Sequence, residues 1–343
     1  MPPKVLIHGT GAIGTIYVYL LLKAGCDVVA VCRSNYEVAK ANGFTINSDK
    51  FGANIHIQPK VVRSPAEAAE TEGEFDFVIV STKAFPGSGP DAIRPAITKG
   101  KTTIALIQNG IGIEEEYATA FPDNPLLSCV VYLPTTQTSP GHIQMGATET
   151  LQIGTYPATS QPDSPAWKAA QSLKQTLNEA GGNATLFEDV QEKRWQKLLV
   201  NASWNPICAL TLSRDVAYLA SSPAAEDTVT AVMAEVVLVA RAKGYTDITV
   251  QLAKDQLSRA LARVGSQGIE PSMLVDVLNG RRMEIEVILG NTLKIAKQLG
   301  IDVPRLETLY ALGKALDEAM ALRQPGKSLG GDETAKVKAE KGV

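Results

Sequence analysis

Short apolar runs alternate with helix-compatible stretches in the first third of the chain. Apolar runs at 5–7 and 28–32 enclose an apolar stretch that continues to residue 23, and further runs occur at 75–80 and 102–107. Strands that alternate with helices along the chain usually run parallel to one another in a sheet. This pattern therefore predicts a parallel sheet covered by helices. The first part of the chain is therefore expected to form an α/β domain with a doubly wound sheet.

A glycine turn directly follows the first of these predicted strands. It has the sequence Gly9-Thr10-Gly11-Ala12-Ile13-Gly14. Three glycines at this spacing permit a tight turn, a close approach of the backbone to a pyrophosphate and close packing of helix on strand. The N-terminus of the following helix would direct its N–H groups at the same anion. Since a strand and a helix flank the turn, the motif predicts a dinucleotide site and a Rossmann-type sheet.

The end of the second predicted strand indicates which dinucleotide is bound. A site for NAD usually has Asp or Glu there, which binds the ribose 2′-hydroxyl. This chain has Cys32-Arg33-Ser34-Asn35 instead. The guanidinium of Arg33 can bind a 2′-phosphate, with the Ser34 hydroxyl and the Asn35 amide nearby, so NADPH is favoured over NADH. A solvated arginine at a strand end is the plain alternative.

Two more polar residues follow predicted strands at this edge. Lys83 follows the strand at 75–80, and Asn109 follows the strand at 102–107. Because ligands of doubly wound sheets bind at the carboxyl ends of the strands, both side chains are expected to face the cofactor or the substrate. Alternatively, Lys83 is a solvated loop residue, and Asn109-Gly110 is a common turn dipeptide.

The middle of the chain predicts additions to the parallel sheet. Alternating apolar residues at 44–46 and 55–62 predict an antiparallel excursion or extra strands. An amphipathic helix is predicted at 166–180 and a last strand at 184–187. Three further predicted strands are interpreted as a meander appended to the parallel sheet, at 126–133, 141–145 and 150–154.

Strand patterns stop near residue 189, and the remaining chain is helical almost to its end. Helices are predicted at 190–209, 224–243, 250–264, 272–277, 283–298 and 305–323. We therefore expect a Rossmann-type dinucleotide-binding domain at 1–189 and an all-α domain at 190–325. The segment at 326–343 is rich in glycine and charge, cannot bury a core, and is predicted to be a disordered tail.

Composition narrows the class of protein. The 343 residues carry a net charge of -3 without basic blocks, so neither nucleic acid nor an anionic membrane is expected as a partner. The four cysteines show no paired spacing and the three histidines are scattered, so no metal site is expected. No apolar run reaches bilayer length, and no signal peptide precedes the first strand. These features predict a reduced, soluble protein of the cytoplasm.

The all-α part contains a row of polar side chains in an otherwise apolar helix. Lys197, Asn201 and Asn205 stand at successive i, i+4 positions and therefore lie on one helix face. Asparagine is a mediocre helix former, so a pair of asparagines at this spacing indicates a polar pocket. A solvated stripe is the alternative, although a surface helix would more often carry Glu–Lys pairs at such positions.

A carboxylate and a hydroxyl in later helices are further candidates. Ser272 lies at the start of one predicted helix, and Glu284 lies near the start of the next. Apolar neighbours such as Val287 and Ile288 predict that Glu284 turns inward, whereas Glu286 points elsewhere and is the more readily solvated of the two carboxylates. The pattern alone supports a buried functional Glu284 and a structural one equally.

These motifs together resemble the ketopantoate reductase family, which reduces 2-ketopantoate to pantoate with NADPH. The matching segments are the glycine turn, Thr82-Lys83, Gln108-Asn109-Gly110, the stretch from Trp195 to Asn201, Asn205-Pro206, Ser272-Met273 and Glu284. They span nearly all of the chain that is expected to be ordered. Their order and joint spacing are much more specific than any single motif.

The resemblance implies a role for each matching residue. Lys197 corresponds to the general acid, and Glu284 to its carboxylate partner near the substrate hydroxyl. The implied substrate-binding residues are Asn109, Asn201, Asn205 and Ser272, of which Asn109 lies between nicotinamide and substrate. The implied cofactor-binding residues are Gly9, Thr10, Gly11, Ala12, Ile13, Gly14, Arg33, Lys83 and Asn109. In such a reduction negative charge develops on the carbonyl oxygen, and a lysine already in place stabilises it and delivers the proton.

The resemblance leaves the substrate open. The same scaffold is similar to D-2-hydroxyacid dehydrogenases, which reduce other branched or aromatic 2-keto acids. This chain departs from the simpler family pattern at 85–90, at 155–165 and in its charged tail. Ketopantoate, and with it pantothenate biosynthesis, is the favoured assignment. A non-catalytic NADPH-binding sensor is a further alternative, although the acid and the substrate groups are all present.

The state of assembly is also open at this point. A homodimer could pair through an apolar helix face, whereas a monomer would pack the same residues internally. The face is formed by Val229, Val232, Val236 and Val237.

Overall fold

The computed structural model describes residues 2–159, 161–322 and 328–330. Internal packing divides the chain into two units, Met1–Arg194 and Trp195–Val343. The division lies slightly beyond the boundary expected at residue 189, within a helix that begins at Gln191. Of the tail predicted at 326–343, only 328–330 belong to the described residues, and the rest lies outside them.

The first unit contains all of the strands that the structure describes. They are β1 (Lys4–His8), β2 (Asp27–Val31), β3 (Phe44–Ser48), β4 (Gly52–Ile57), β5 (Lys60–Val62), β6 (Phe77–Val80), β7 (Thr103–Leu106), β8 (Leu126–Tyr132), β9 (Thr135–Ser139), β10 (His142–Met145), β11 (Thr150–Thr155) and β12 (Ala184–Leu186). Its helices are α1 (Ala12–Lys23), α2 (Tyr36–Asn42), α3 (Pro65–Glu72), α4 (Gly89–Ile93), α5 (Glu114–Ala120) and α6 (Pro165–Glu179).

The larger sheet has the predicted doubly wound architecture. Its strand order is β12-β11-β8-β7-β6-β1-β2-β5, and the strands from β8 to β5 are parallel to one another. Within this parallel part the order reverses beside β1, because the chain first adds β2 and β5 on one side and then β6, β7 and β8 on the other. Such a switch point opens a ligand crevice at the carboxyl ends of the strands. The prediction of a Rossmann-type fold is confirmed.

The predicted meander is wrong in part. Strand β8 does pair antiparallel with β11, but β10 leaves the large sheet and pairs parallel with β3. A second sheet results, with the order β4-β3-β10-β9. In both β3 and β10 buried residues alternate with more exposed ones, which gives each strand one apolar face. A period of two identifies a strand with one buried face but does not identify the sheet that it joins.

Helix α1 links the two sheets of this unit into one core. It contacts β2 of the large sheet and β9 and β10 of the small one, and Ile16 and Tyr17 are completely buried. The Tyr17 hydroxyl donates to the buried carboxylate of Glu149 at 3.4 Å, and Lys50 Nζ lies 3.1 Å from the same carboxylate. The helix is apolar on nearly all sides because both of its flanks are covered.

The second unit is all-helical, as predicted. Its helices are α7 (Gln191–Thr211), which begins in the last residues of the first unit, α8 (Asp215–Ser221), α9 (Ala224–Ala242), α10 (Val250–Leu261), α11 (Ser272–Leu278), α12 (Asn291–Gln298) and α13 (Pro304–Ala319). Helix α8 was not predicted, and a π-helical turn at Glu286–Gly290 precedes α12. Among the described residues, no helix combines the length and apolar character needed to cross a membrane.

The valine face proposed for a homodimer is covered by this chain itself. Helix α9 packs against α8, α10, α12 and α13. These contacts leave at most 2% of each valine exposed, at Val229, Val232, Val236 and Val237. These side chains therefore belong to the core of the helical unit.

Candidate active site

The glycine turn between β1 and α1 leaves room for an anion. Gly9 has φ +106°, which an L side chain rarely adopts, and a Cβ there would lie 2.5 Å from the backbone nitrogen of Thr82. A Cβ on Gly14 would overlap the carbonyl oxygen of Gly9. At Gly11, by contrast, a Cβ would meet no described atom within 4 Å, so the backbone faces open space. The first N–H groups of a helix have no partner within the helix, so the start of α1 offers donors to an anion and the turn fits a pyrophosphate.

Hydrogen bonds join the loops at the switch point. The Ser81 hydroxyl donates to the carbonyl of Gly9 at 3.0 Å, and the Gln108 side-chain amide donates to the carbonyl of Thr82 at 2.9 Å. The loops that follow β1, β6 and β7 thus form one connected edge. Lys83 and Asn109, which the sequence assigned to this edge, lie in the second and third of these loops and are half-buried.

The residues after β2 that the sequence proposed for the 2′-phosphate differ in exposure. Arg33 and Ser34 are exposed at the carboxyl end of β2, where a 2′-phosphate was expected. Asn35 is buried, and its side-chain amide donates to the carbonyl of Thr10 at 2.9 Å. The Asn35 amide, which the sequence suggested for the 2′-phosphate, therefore supports the glycine turn.

A histidine at the end of β1 completes this edge. Burial, and after it the positive charge of Arg33, lowers the pKa of His8 from 6.5 to about 4. The imidazole is therefore neutral at neutral pH. Its Nδ1 is buried and has no hydrogen-bond partner among the described residues. The sequence analysis gave His8 no role, because a single histidine beside a glycine turn has no distinguishing pattern.

The polar row of the helical unit lies on α7, as its spacing predicts. Lys197 and Asn201 are half-buried, and Asn205 is 4% exposed. The Asn205 side-chain amide lies 3.4 Å from the hydroxyl of Ser272, the first residue of α11. The structure thus places two of the four substrate residues implied by the resemblance next to each other. Asn201 lies one turn away on the same helix.

Glu284 lies in the short segment between α11 and the π-helical turn. It is 6% exposed, so the predicted inward orientation agrees with the structure. The buried carboxylate of Asp317 accepts from the Met283 N–H at 2.7 Å and from Arg282 Nε at 2.7 Å. These bonds fix the backbone directly before Glu284. The following turn is π-helical, a form that often marks functional sites.

Glu286 is the more exposed of the two carboxylates, as expected, but it is also paired. Only 28% of its side chain is exposed. Its carboxylate accepts from Lys314 Nζ at 2.6 Å and from the Tyr310 hydroxyl at 3.1 Å. The hydrogen bond from Lys314 crosses from α13, and helical periodicity within one segment carries no information about such a partner.

Comparison with known proteins identifies the family. A model described as ketopantoate reductase PanE/ApbA matches residues 5–158. A second model, ketopantoate reductase PanE/ApbA C terminal, matches residues 189–317. The chain belongs to the ketopantoate reductase family. It is accordingly an oxidoreductase of the ketopantoate reductase type, a class that reduces 2-keto acids.

Individual relatives cover nearly the whole chain. The crystal structure of 2-dehydropantoate 2-reductase from Methylococcus capsulatus is 34% identical, has a TM-score of 0.80, and covers 95% of this chain and 99% of its own. An uncharacterized protein of Saccharomyces cerevisiae is 30% identical over 337 residues, 90% of this chain and 92% of the relative. D-mandelate dehydrogenase, solved with NADH and anilino(oxo)acetate, shares the fold at TM-score 0.79 and 21% identity, covering 93% of this chain and 99% of its own.

The structure of this ketopantoate reductase family member also reveals a residue that the sequence analysis left without a role. Arg194 is 3% exposed and lies in the first turn of α7. A signal for it was present in the sequence. Arg194 stands at i, i+4 spacing between Val190 and Leu198, both of which are buried. An arginine in line with core residues requires buried partners, and these lie far away along the chain.

Proposed function

We propose that this chain catalyses the NADPH-dependent reduction of 2-ketopantoate to pantoate, with Lys197 as the general acid. The observation that carries the proposal is the polar row of α7. In it a lysine stands in line with two asparagines, and the side-chain amide of the second lies 3.4 Å from the Ser272 hydroxyl. Family membership supports the reaction class, and the resemblance of individual residues to the family supports the roles proposed for them.

The first unit would hold the nucleotide. The glycine turn and the N-terminus of α1 would bind the pyrophosphate, Arg33 would bind the 2′-phosphate, and Lys83 and Asn109 would contact the nicotinamide side. When bound, a reduced nicotinamide supplies the hydride for the ketone carbon. An exposed arginine at the carboxyl end of β2 supports NADPH, because a guanidinium suits a phosphate and an NADH site usually has a carboxylate there.

The second unit would supply the proton and bind the keto acid. As the ketone carbon gains hydride, its oxygen becomes negative, and the Lys197 ammonium donates a proton to that oxygen. The lysine is left neutral and regains its proton from water. Asn201, Asn205 and Ser272 are neutral donors that can bind the substrate carboxylate or hydroxyl without competing with the acid for charge. Glu284 would act as the carboxylate partner of Lys197.

Replacement of Lys197 by alanine tests the role of the acid. General acid catalysis contributes ~10²–10⁴-fold, so we expect Lys197→Ala to lower kcat by a factor in that range. The dissociation constant of NADPH, measured by fluorescence titration, should stay within about twofold, because binding of the nucleotide is assigned to other residues.

Lys193→Ala is the matched control. Lys193 lies one turn earlier on α7, and its Nζ pairs with Glu192 Oε1 at 2.7 Å. Loss of this surface pair should leave kcat nearly unchanged. Full activity of Lys197→Ala would remove Lys197 from its proposed role.

A second candidate function is the reduction of another branched or aromatic 2-keto acid. The likeness to D-mandelate dehydrogenase favours it, since that protein shares the fold over almost its entire length. Trp204 is buried directly before Asn205, so a large side chain stands beside the proposed substrate residues in the sequence. A higher kcat/KM for phenylglyoxylate than for ketopantoate would select this candidate.

A further inference from the structure

A buried cluster at the end of the first unit surrounds the guanidinium of Arg194. The Nε atom of Arg194 lies 2.7 Å from the Ser128 hydroxyl and 2.6 Å from Glu114 Oε1. The Glu114 carboxylate is itself completely buried and accepts from Ser128 at 2.6 Å and from the Gln191 amide at 2.8 Å. The cluster therefore fixes the plane of the guanidinium from one side.

The other side of the guanidinium is bound to backbone. Nη1 donates to the carbonyl of Gln108 at 2.9 Å and to the carbonyl of Gly110 at 3.1 Å, while Nη2 donates to the carbonyl of Cys129 at 3.2 Å. Gln108 and Gly110 are the two neighbours of Asn109. One guanidinium nitrogen thus holds a carbonyl of the residue before Asn109 and a carbonyl of the residue after it.

Stability alone is a poor explanation for this arrangement. Burying an ion pair costs desolvation of both charges, and well-packed apolar residues of similar volume are often as stabilising. Here the cost is incompletely offset, because Glu114 Oε2 is buried without a hydrogen-bond partner among the described residues. The Arg194 guanidinium supplies a planar set of donors with fixed directions, which an apolar cluster cannot provide.

We propose that Arg194 is a positioning residue for Asn109. Its guanidinium fixes the carbonyls of Gln108 and Gly110, one residue before and one residue after Asn109, and so sets the direction of the Asn109 side chain at the edge of the crevice. Gly110, with φ +96°, allows the backbone to turn so that both carbonyls face one nitrogen. The inference rests on the proposed function, in which Asn109 contacts nicotinamide and substrate.

A double-mutant cycle between Arg194→Lys and Asn109→Ala tests the proposal. Lysine keeps the charge but has a single nitrogen and cannot reproduce the fork. A small misplacement of a positioned group can cost ~10²-fold, so we expect Arg194→Lys to lower kcat/KM for ketopantoate by about 10- to 100-fold. In the Asn109→Ala background, Arg194→Lys should lower kcat/KM by less than about threefold, because the side chain that Arg194 positions is absent.

Ser128→Ala is the matched control within the cluster. It removes a hydroxyl that bonds Arg194 and Glu114 but leaves the bonds to the Gln108 and Gly110 carbonyls in place. Both Ser128→Ala and Arg194→Lys should lower the thermal unfolding midpoint. Only Arg194→Lys should change kcat/KM by more than about threefold, because only this substitution releases the loop that contains Asn109.

Amide hydrogen exchange gives a readout that does not depend on activity. In the nucleotide-free protein, the peptide that contains 108–112 should exchange faster in Arg194→Lys than in wild type, and at the wild-type rate in Ser128→Ala. If Arg194→Lys does not unfold cooperatively, Arg194→Gln, which keeps a planar amide donor, takes its place in the same measurements. Unchanged exchange at 108–112 in a folded Arg194 variant would overturn the proposal.

The cycle separates this inference from the proposed function. Equal losses from Arg194→Lys in both backgrounds would mean that Arg194 only supports the fold, and the inference would fail while Lys197 kept its role. If Lys197→Ala remains fully active, the proposed function fails. The rate of amide hydrogen exchange at 108–112 then shows independently whether Arg194 holds the loop that contains Asn109.

Discussion

The proposed preference for NADPH rests on a single side chain, that of Arg33. Arg33 is exposed at the carboxyl end of β2, while the neighbouring Asn35 amide is committed to the carbonyl of Thr10. The 2′-phosphate would therefore be recognised by a guanidinium, with the Ser34 hydroxyl beside it in the sequence. Hydrogen bonds to charged groups contribute about 1.5–3 kcal/mol, so loss of this contact should be easy to measure.

We expect Arg33→Ala to raise the KM for NADPH by roughly 10- to 100-fold, corresponding to about 1.4–2.7 kcal/mol. The KM for NADH should change by less than about twofold, because NADH carries no 2′-phosphate. Steady-state kinetics with both nucleotides measures this difference. Arg63→Ala is the control, since Arg63 follows the adjacent strand β5 but already pairs with Glu37 and lies over the Tyr36 ring. Equal losses for both nucleotides in Arg33→Ala would contradict the assignment.

At the scale of elements, the strand–turn–helix unit of β1 and α1 forms the proposed nucleotide site. Gly14 and Gly11 have different structural roles in this unit. A Cβ on Gly14 would overlap the carbonyl of Gly9 and come within 2.8 Å of the Ser81 hydroxyl, so this glycine permits the packing of helix on strand. Gly11 touches no described atom at its Cβ position and borders the space assigned to the pyrophosphate.

This difference predicts opposite phenotypes for two alanine substitutions. Gly14→Ala should lower the free energy of unfolding by about 1–3 kcal/mol, as overpacking does. Gly11→Ala should leave the free energy of unfolding of the nucleotide-free protein within about 0.5 kcal/mol of wild type and weaken NADPH binding by at least about tenfold. Chemical denaturation and fluorescence titration measure the two effects. Tight NADPH binding by Gly11→Ala would contradict the pyrophosphate assignment.

Local patterns predicted most elements but not their partners. The glycine turn, the buried strands and the Lys197 row were predictable because each depends on residues close together in sequence. Sheet membership was not predictable in this way, since β10 pairs with β3 instead of joining the large sheet. The hydrogen bond from Lys314 to Glu286 and the cluster around Arg194 were missed for the same physical reason. Each depends on side chains that only the tertiary fold brings together.

At the scale of the whole molecule, the proposed reaction draws on both units. The first contributes the residues assigned to the nucleotide, and the second contributes Lys197, Glu284 and the residues assigned to the keto acid. The parallel strand order with its reversal beside β1 accounts for the position of the nucleotide residues at one sheet edge. The central claim is therefore that one chain both binds NADPH and uses it to reduce a 2-keto acid.

Initial rates of the wild-type protein test this claim most directly. NADPH and NADH are each paired with ketopantoate, 2-ketoisovalerate and phenylglyoxylate, and oxidation of the nucleotide is followed by its absorbance. We expect the highest kcat/KM for NADPH with ketopantoate. Tight NADPH binding without oxidation in the presence of any of these 2-keto acids would contradict it and indicate a nucleotide-binding protein without reductase activity.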